Sequence, residues 1–206
     1  MLKNPFPMNK KSLKQTWKKL FYFIWEDNSI WSWIVNIILA FILIKFIVYP
    51  GLGLALGTSY PIVAVVSDSM EHNGLPFDEW WAGKSTWYLE YNITKQDFNE
   101  FKLKNGFNKG DIIILKGADP ADLRIGDVIV FKTSRPDPII HRIVNKWEED
   151  DAYYFQTKGD KNSDSIRESY LDETRVSEKQ LIGKSLFRIP WLGYIKIWFV
   201  DLLNFL

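Results

Sequence analysis

The chain of 206 residues has no cysteine, and this removes disulfide frameworks, thiol catalysis and thiolate metal sites together. Histidine is nearly as scarce, at two residues, so a zinc site has almost nothing to draw on. Charge of one sign is also missing: 26 Lys and Arg face 25 Asp and Glu, leaving a formal net charge of +1. That balance gives no reason to expect nucleic acid or another polyanion as a partner. Repeats of solenoid length do not occur. The excess is in tryptophan, with ten residues, whose amphipathic rings favour membrane interfaces.

Residues 1–29 form a basic head carrying Lys3, Lys10, Lys11, Lys14, Lys18 and Lys19, opposed only by Glu26 and Asp27. Ile30 to Tyr49 is then almost continuously apolar, and a helix of that length spans about 30 Å of hydrocarbon. Its polar members are Ser32, Asn36 and Lys45, the last near the far end, where its stem can snorkel to the headgroups. Trp31, Trp33 and Tyr49 mark the two ends as an aromatic belt would. Pro50-Gly51 is expected to end the helix, giving an anchor over residues 30–50. A cleaved secretory signal is the rival reading, because Gly51, Gly53, Ala55 and Gly57 offer small-x-small spacing. The long basic head and long apolar core favour a retained anchor. The positive-inside rule then places the head in the cytoplasm and everything after Pro50 outside the cell membrane, as a single-pass protein.

The outer region, residues 57–185, reads as mainly β. Tyr60 to Val66 is a β-branched strand candidate; Gly110-Asp111 opens Ile112–Leu115, and Gly126-Asp127 opens Val128–Phe131. Ile139–Trp147 and Tyr153–Lys158 flank the acidic turn Glu148–Asp151 as a hairpin would. Short strands at this spacing predict a compact β domain rather than βαβ units. Residues 75–108 interrupt the pattern with an aromatic-rich insertion, readable as a membrane-surface lip or as a satellite hydrophobic cluster. Residues 186–206 form an apolar tail too short after Pro190 to span comfortably, expected to be interfacial or partly inserted.

Two short segments carry the chemistry: Val65–Met70, after the anchor, and Ile139–Val144, an apolar run that holds His141. An imidazole in such a run needs a partner or a purpose. A serine hydroxyl needs an adjacent base to act as a nucleophile, and Ser69, ahead of a turn at Asn73-Gly74, could project from a strand end. Alone, Ser69 is a common turn serine and His141 an ordinary core histidine. His72, three residues from Ser69, reads as a solvated loop residue. A third group usually orients the imidazole, and the Thr157–Arg167 segment offers Asp160 and Asp164, although Asp160 could simply cap its own turn.

Taken together, these segments resemble the type I signal peptidases of the archaeal and endoplasmic-reticulum, Ser-His kind. The matching boxes are Ser67–Glu71, Lys109–Asp111, Gly126–Phe131, Ile140–Ile143, Thr157–Asp160, Leu181–Lys184 and Ile189–Gly193, in one order behind an anchor. The resemblance implies a membrane-anchored serine endopeptidase that removes signal peptides after small residues at −1 and −3. It makes Ser69 the nucleophile, His141 the general base, and Ser67 with the Ser69 N–H the oxyanion donors. Ile62, Val63, Ala64, Val65 and Val66 become the strand that pairs with substrate. For the acid, Asp164 followed by Ser165 and Arg167 resembles the family's Asp-Ser-Arg ending, and Asp160 is then structural or supporting. His72 stands where the family usually has proline. No metal or organic cofactor is implied. Partners would be preprotein signal peptides, the lipid bilayer and, as a candidate, the protein-translocation machinery, with no nucleic acid. Two other readings remain: a self-cleaving repressor-type peptidase, disfavoured by the anchor, and a degenerate tethered β domain that binds a secretion component.

Overall fold

The structure, a computed structural model, describes residues 10–195 and 197–198. Lys3, Asp201 and the rest of the tail from residue 199 lie outside the described residues. The chain divides into two compact units, residues 1–51 and 52–206. The first unit contains α1 (Lys10–Trp25) and α2 (Ile30–Leu43), which is capped by Ser29 accepting from the Ser32 N–H.

The apolar helix does not stop at Pro50. It passes through a π-helical turn, Ile44–Val48, into α3 (Tyr49–Leu56), giving one 27-residue helix, Ile30–Leu56, long and apolar enough to cross a membrane. The wider turn ends two residues before the proline, with the Tyr49 N–H bonded to the Ile44 carbonyl. That geometry relieves the clash a proline ring would make in a regular helix. Gly57, at φ +63, supplies the left-handed residue that ends the helix instead.

The second unit is built on a seven-stranded sheet. Its strands are β1 (Ile62–Ala64), β2 (Ile112–Lys116), β3 (Val128–Phe131), β4 (Ile139–Glu149), β5 (Ala152–Lys158), β8 (Val176–Ser177) and β9 (Leu181–Ile189). β6 (Arg167–Glu168) and β7 (Leu171–Asp172) pair separately. The sheet order is β1-β2-β9-β3-β4-β5-β8, and every pairing is antiparallel. β9 lies between β2 and β3 and continues to Ile189, past the boundary expected at 185, because Phe187–Ile189 pair with β2. The β4–β5 turn narrows to Asp150-Asp151, both at positive φ, as a two-residue hairpin with right-handed strand twist requires.

All four residues of β3 are buried, and their alternation divides two cores. Val128 and Val130 join Val65, Met70, Phe107, Ile113 and Leu115; Ile129 and Phe131 face Leu123, Ile143, Phe155, Leu171 and Val176. A third cluster comes from the aromatic insertion. Helices α4 (Phe77–Glu90) and α5 (Lys95–Glu100) bring Trp80, Trp81, Tyr88 and Phe98 together with Ile93 and Val144. The Trp80 and Tyr88 rings each lie 5.0 Å from that of Phe98. These rings are buried against one another, so they form the satellite cluster of the two readings offered above.

Candidate active site

β1 lies at one end of the sheet and, among the described residues, pairs with β2 alone. The Pro61 carbonyl and both backbone groups of Val65 are taken by the β2 side, bonding to Leu115, Asp111 and Gly110. Strand alternation therefore turns the N–H and C=O groups of Ile62, Ala64 and Val66 to the open edge. Val65 is buried in the first core, as is Met70, so the loop between them is held at both ends. The Ser69 carbonyl accepts from the Lys161 N–H at 2.9 Å, and the Met70 carbonyl from the Phe107 N–H at 3.1 Å. Lys161 Nζ also pairs with Asp68. The Ser69 N–H has no hydrogen-bond partner among the described residues.

His141 sits on β4 opposite Ile129, and alternation sends its side chain and that of Arg142 to opposite faces. His141 Nε2 is 2.8 Å from Ser69 Oγ, and Ser67 Oγ is 3.2 Å from the same hydroxyl. On the other side of the ring, Nδ1 is hydrogen-bonded to Glu173 Oε1. Glu173 is fully buried; its Oε1 also accepts from Thr157 Oγ1 at 2.9 Å and its Oε2 from the Ile166 N–H at 2.9 Å. An ionised carboxylate only accepts, so the proton of the neutral ring resides on Nδ1 and the Nε2 lone pair faces the serine. No Lys or Arg is within ion-pair distance of Glu173 among the described residues. Among the described residues, an imidazolium at position 141 would be its only close counter-ion.

Neither expected aspartate reaches His141. Asp164 is exposed and accepts from Trp87 Nε1 at 3.0 Å and from the Ser165 N–H at 2.7 Å. Asp160 is fully buried behind β4, where it receives both Arg142 Nε (2.9 Å) and an Arg142 terminal nitrogen (2.7 Å). The remaining Arg142 donors go to the Lys102, Gly126 and Leu103 carbonyls, satisfying the whole guanidinium. Burial pushes the Asp160 carboxyl up, but Arg142 and His72 outweigh it and hold it well below the usual carboxylate range. His72, expected to be solvated, is instead buried: its Nε2 is 3.1 Å from Asp160 Oδ2 and its ring stacks on Trp80 at 3.8 Å. The insertion supplies that stacking surface, which a loop read from its neighbours in sequence does not reveal.

The exit of β5 serves both sides of the sheet. Thr157 holds Glu173, Lys158 turns to Tyr88, and Asp160 takes Arg142. Between them, Gly159 lies where a Cβ would be 2.7 Å from the Ser69 carbonyl and 2.9 Å from His141 Nε2. Only glycine permits that approach. Burial lowers the Lys158 ammonium to about 8, against the pull of Asp160.

Ser69 and His141 open into a cleft of about 360 Å³. One wall is Ala64–Ser67 with Ser69; the other is residues 135–141, where Ile139–His141 pair with β3 on one side only. Phe107, Ile166 and Leu171 make an apolar floor. The arrangement is a hydroxyl with its base and acid, set at the end of an unpaired strand edge. It is suited to attack on the carbonyl of an extended peptide.

No family model matches the chain. Curated relatives do. It is 31% identical over 148 residues to the signal peptidase complex catalytic subunit sec11 of Schizosaccharomyces pombe, covering 68% of each chain. It is 28% identical over 155 residues to the SEC11 catalytic subunit of Pyricularia oryzae, covering 74% of this chain and 71% of the relative. The human catalytic subunit SEC11C is 26% identical over 153 residues, covering 73% and 62%.

Proposed function

The chain belongs to the signal peptidase catalytic-subunit family, and from that footing we propose that it is a membrane-anchored serine endopeptidase removing signal peptides from preproteins. The observation that carries this reading is the Glu173–His141–Ser69 relay at the end of the open β1 edge. An extended substrate adds to that edge through Ile62, Ala64 and Val66, which presents its scissile carbonyl to Ser69. Neutral His141 takes the Ser69 proton through Nε2 as Oγ attacks. Glu173 keeps the ring in the required tautomer and balances the imidazolium. The Ser69 N–H and Ser67 Oγ face the developing oxyanion. His141 then gives its proton to the leaving amine, and a water activated by the same ring hydrolyses the acyl-enzyme.

The apolar floor of the cleft, made by Phe107, Ile166 and Leu171, supports a preference for small apolar side chains next to the cleaved bond. The Ile30–Leu56 helix is the anchor, with the lysine-rich head on the cytoplasmic side and the peptidase unit on the opposite face. Further subunits and the translocation machinery are the partners this placement suits.

The test is reconstitution of the full chain in lipid with a secretory preprotein. Wild type should release the mature protein, whereas Ser69→Ala and His141→Ala should each lose at least about 10³-fold in rate. Equal cleavage by all three would remove the mechanism. Binding of preprotein without cleavage by wild type would identify a degenerate binding domain.

A further inference from the structure

The basic head forms a two-sided helix. On α1, Leu13, Trp17, Leu20, Phe21 and Ile24 recur at helical spacing to make an apolar stripe. Its outer members are bare: Trp17 is 66% and Phe21 57% exposed. Lys14 and Lys18 border the stripe and Lys19 lies further round.

The end of this helix is fixed to the start of the span. Ser32 Oγ donates to the Phe23 carbonyl at 2.5 Å and Asn36 Nδ2 to the Ile24 carbonyl at 2.8 Å. Both acceptors belong to the last turn of α1, whose carbonyls have no donor inside their own helix. Both donors are polar groups of an apolar span that would otherwise be unsatisfied in lipid. Asp27 closes the corner by accepting from the Ser29 N–H at 2.8 Å. The contact puts the end of α1 within the first two turns of α2, roughly 9 Å from where that helix begins. For a helix entering a bilayer, this is the depth of the headgroup and acyl boundary.

We propose that α1 is an interfacial helix that binds the anionic phospholipid surface of the membrane α2 enters. The Leu13–Phe21 stripe lies in the acyl boundary, and Lys14, Lys18 and Lys19 reach the phosphate groups. The charge of the lysines and direct continuity with the span favour lipid over a protein partner. The inference rests on α2 being the membrane anchor.

Because the chain has no cysteine, a single introduced cysteine carries the only spin label. The full chain, labelled at Leu20→Cys on the stripe, Gln15→Cys on the opposite face or Ile38→Cys in the span, is placed in nanodiscs. These are made of phosphatidylcholine alone or with about a third phosphatidylglycerol. Collision with oxygen and with a water-soluble nickel chelate reports depth. In anionic discs the Leu20 label should be several-fold more open to oxygen than to nickel, and the Gln15 label the reverse. The triple change Lys14→Glu, Lys18→Glu and Lys19→Glu should abolish that contrast. A Leu20 label as open to nickel as Gln15 would overturn the proposal. So would a contrast indifferent to both lipid charge and the triple change, which would mean that the lysines and anionic lipid take no part in seating the helix. An Ile38 label open to nickel would overturn the span itself and the proposal with it, separating the two failures.

Discussion

The protein has two imidazole–carboxylate pairs, and they differ in what balances the acid and what faces the far side of the ring. Glu173 has no Lys or Arg within ion-pair distance among the described residues, and the second nitrogen of its partner, His141, faces a serine hydroxyl at a cleft. Asp160 is already neutralised by a two-point Arg142 contact, and His72 Nδ1 has no hydrogen-bond partner among the described residues. The same two functional groups therefore give a site that can form a charge and a site that has none to spare. A carboxylate committed to a guanidinium gains little from a second cation, whereas one without a cation favours the imidazolium. This contrast supports the proposal that His141 is the base and that His72 holds structure. The β5 exit, Thr157 to Asp160, touches both sites, and His141 and Arg142 are neighbours on β4.

Removing the acid of the holding site should have the largest effect on stability. Asp160→Asn leaves Arg142 buried without its counter-charge, a loss of about 3–5 kcal/mol in the unfolding free energy. Thermal unfolding reads it, and an unchanged midpoint would erase the distinction between the pairs. At the working site, Ser67→Ala should lower kcat by about 10²–10³ with KM little altered, as loss of one oxyanion donor does. A change in KM alone would make Ser67 a substrate contact instead. Gly159→Ala pushes a methyl into the gap between Ser69 and His141 and should cost about 10² in kcat through misplacement. Normal turnover would show that the β5 exit gives way easily.

The smallest effect concerns Lys158, between the two sites. Its folded ammonium releases its proton near 8, whereas in the unfolded chain it does so near the ordinary lysine value of 10.5. Between those values the unfolded chain binds more protons, so this residue makes stability rise with pH across that window. Lys158→Met should flatten the rise by on the order of 1 kcal/mol, measured by denaturant unfolding at pH 8 and pH 10. An identical slope in both proteins would contradict the burial argument.

Much of this was readable in the residues. Val128–Phe131 announces a strand buried on both faces by being apolar throughout, and β3 has those bounds. The serine and histidine segments resembled a family in order and spacing, and the structure brings the two side chains together. Glu173 was not legible. It lies 32 residues beyond His141, after a two-stranded excursion, and its neighbours Leu171-Asp172-Thr174 look like any polar strand end. Asp164 drew the assignment because its surroundings matched a motif, yet Trp87 from the insertion takes it. His72 was hidden for a related reason: the groups that bury it, Trp80 and Asp160, come from distant parts of the chain. Pro50 misled because its effect depends on the π turn before it, which no single residue signals.

The central claim is that Glu173 orients and charges His141. The direct measurement is kcat for preprotein cleavage by Glu173→Gln and Asp164→Asn side by side, with unfolding midpoints for both. Glu173→Gln should lower kcat by about 10³–10⁴, since an amide no longer enforces the Nδ1–H tautomer. Asp164→Asn should stay within about twofold, as expected of an exposed site. A nearly normal Glu173→Gln beside an inactive, folded Asp164→Asn would contradict the account.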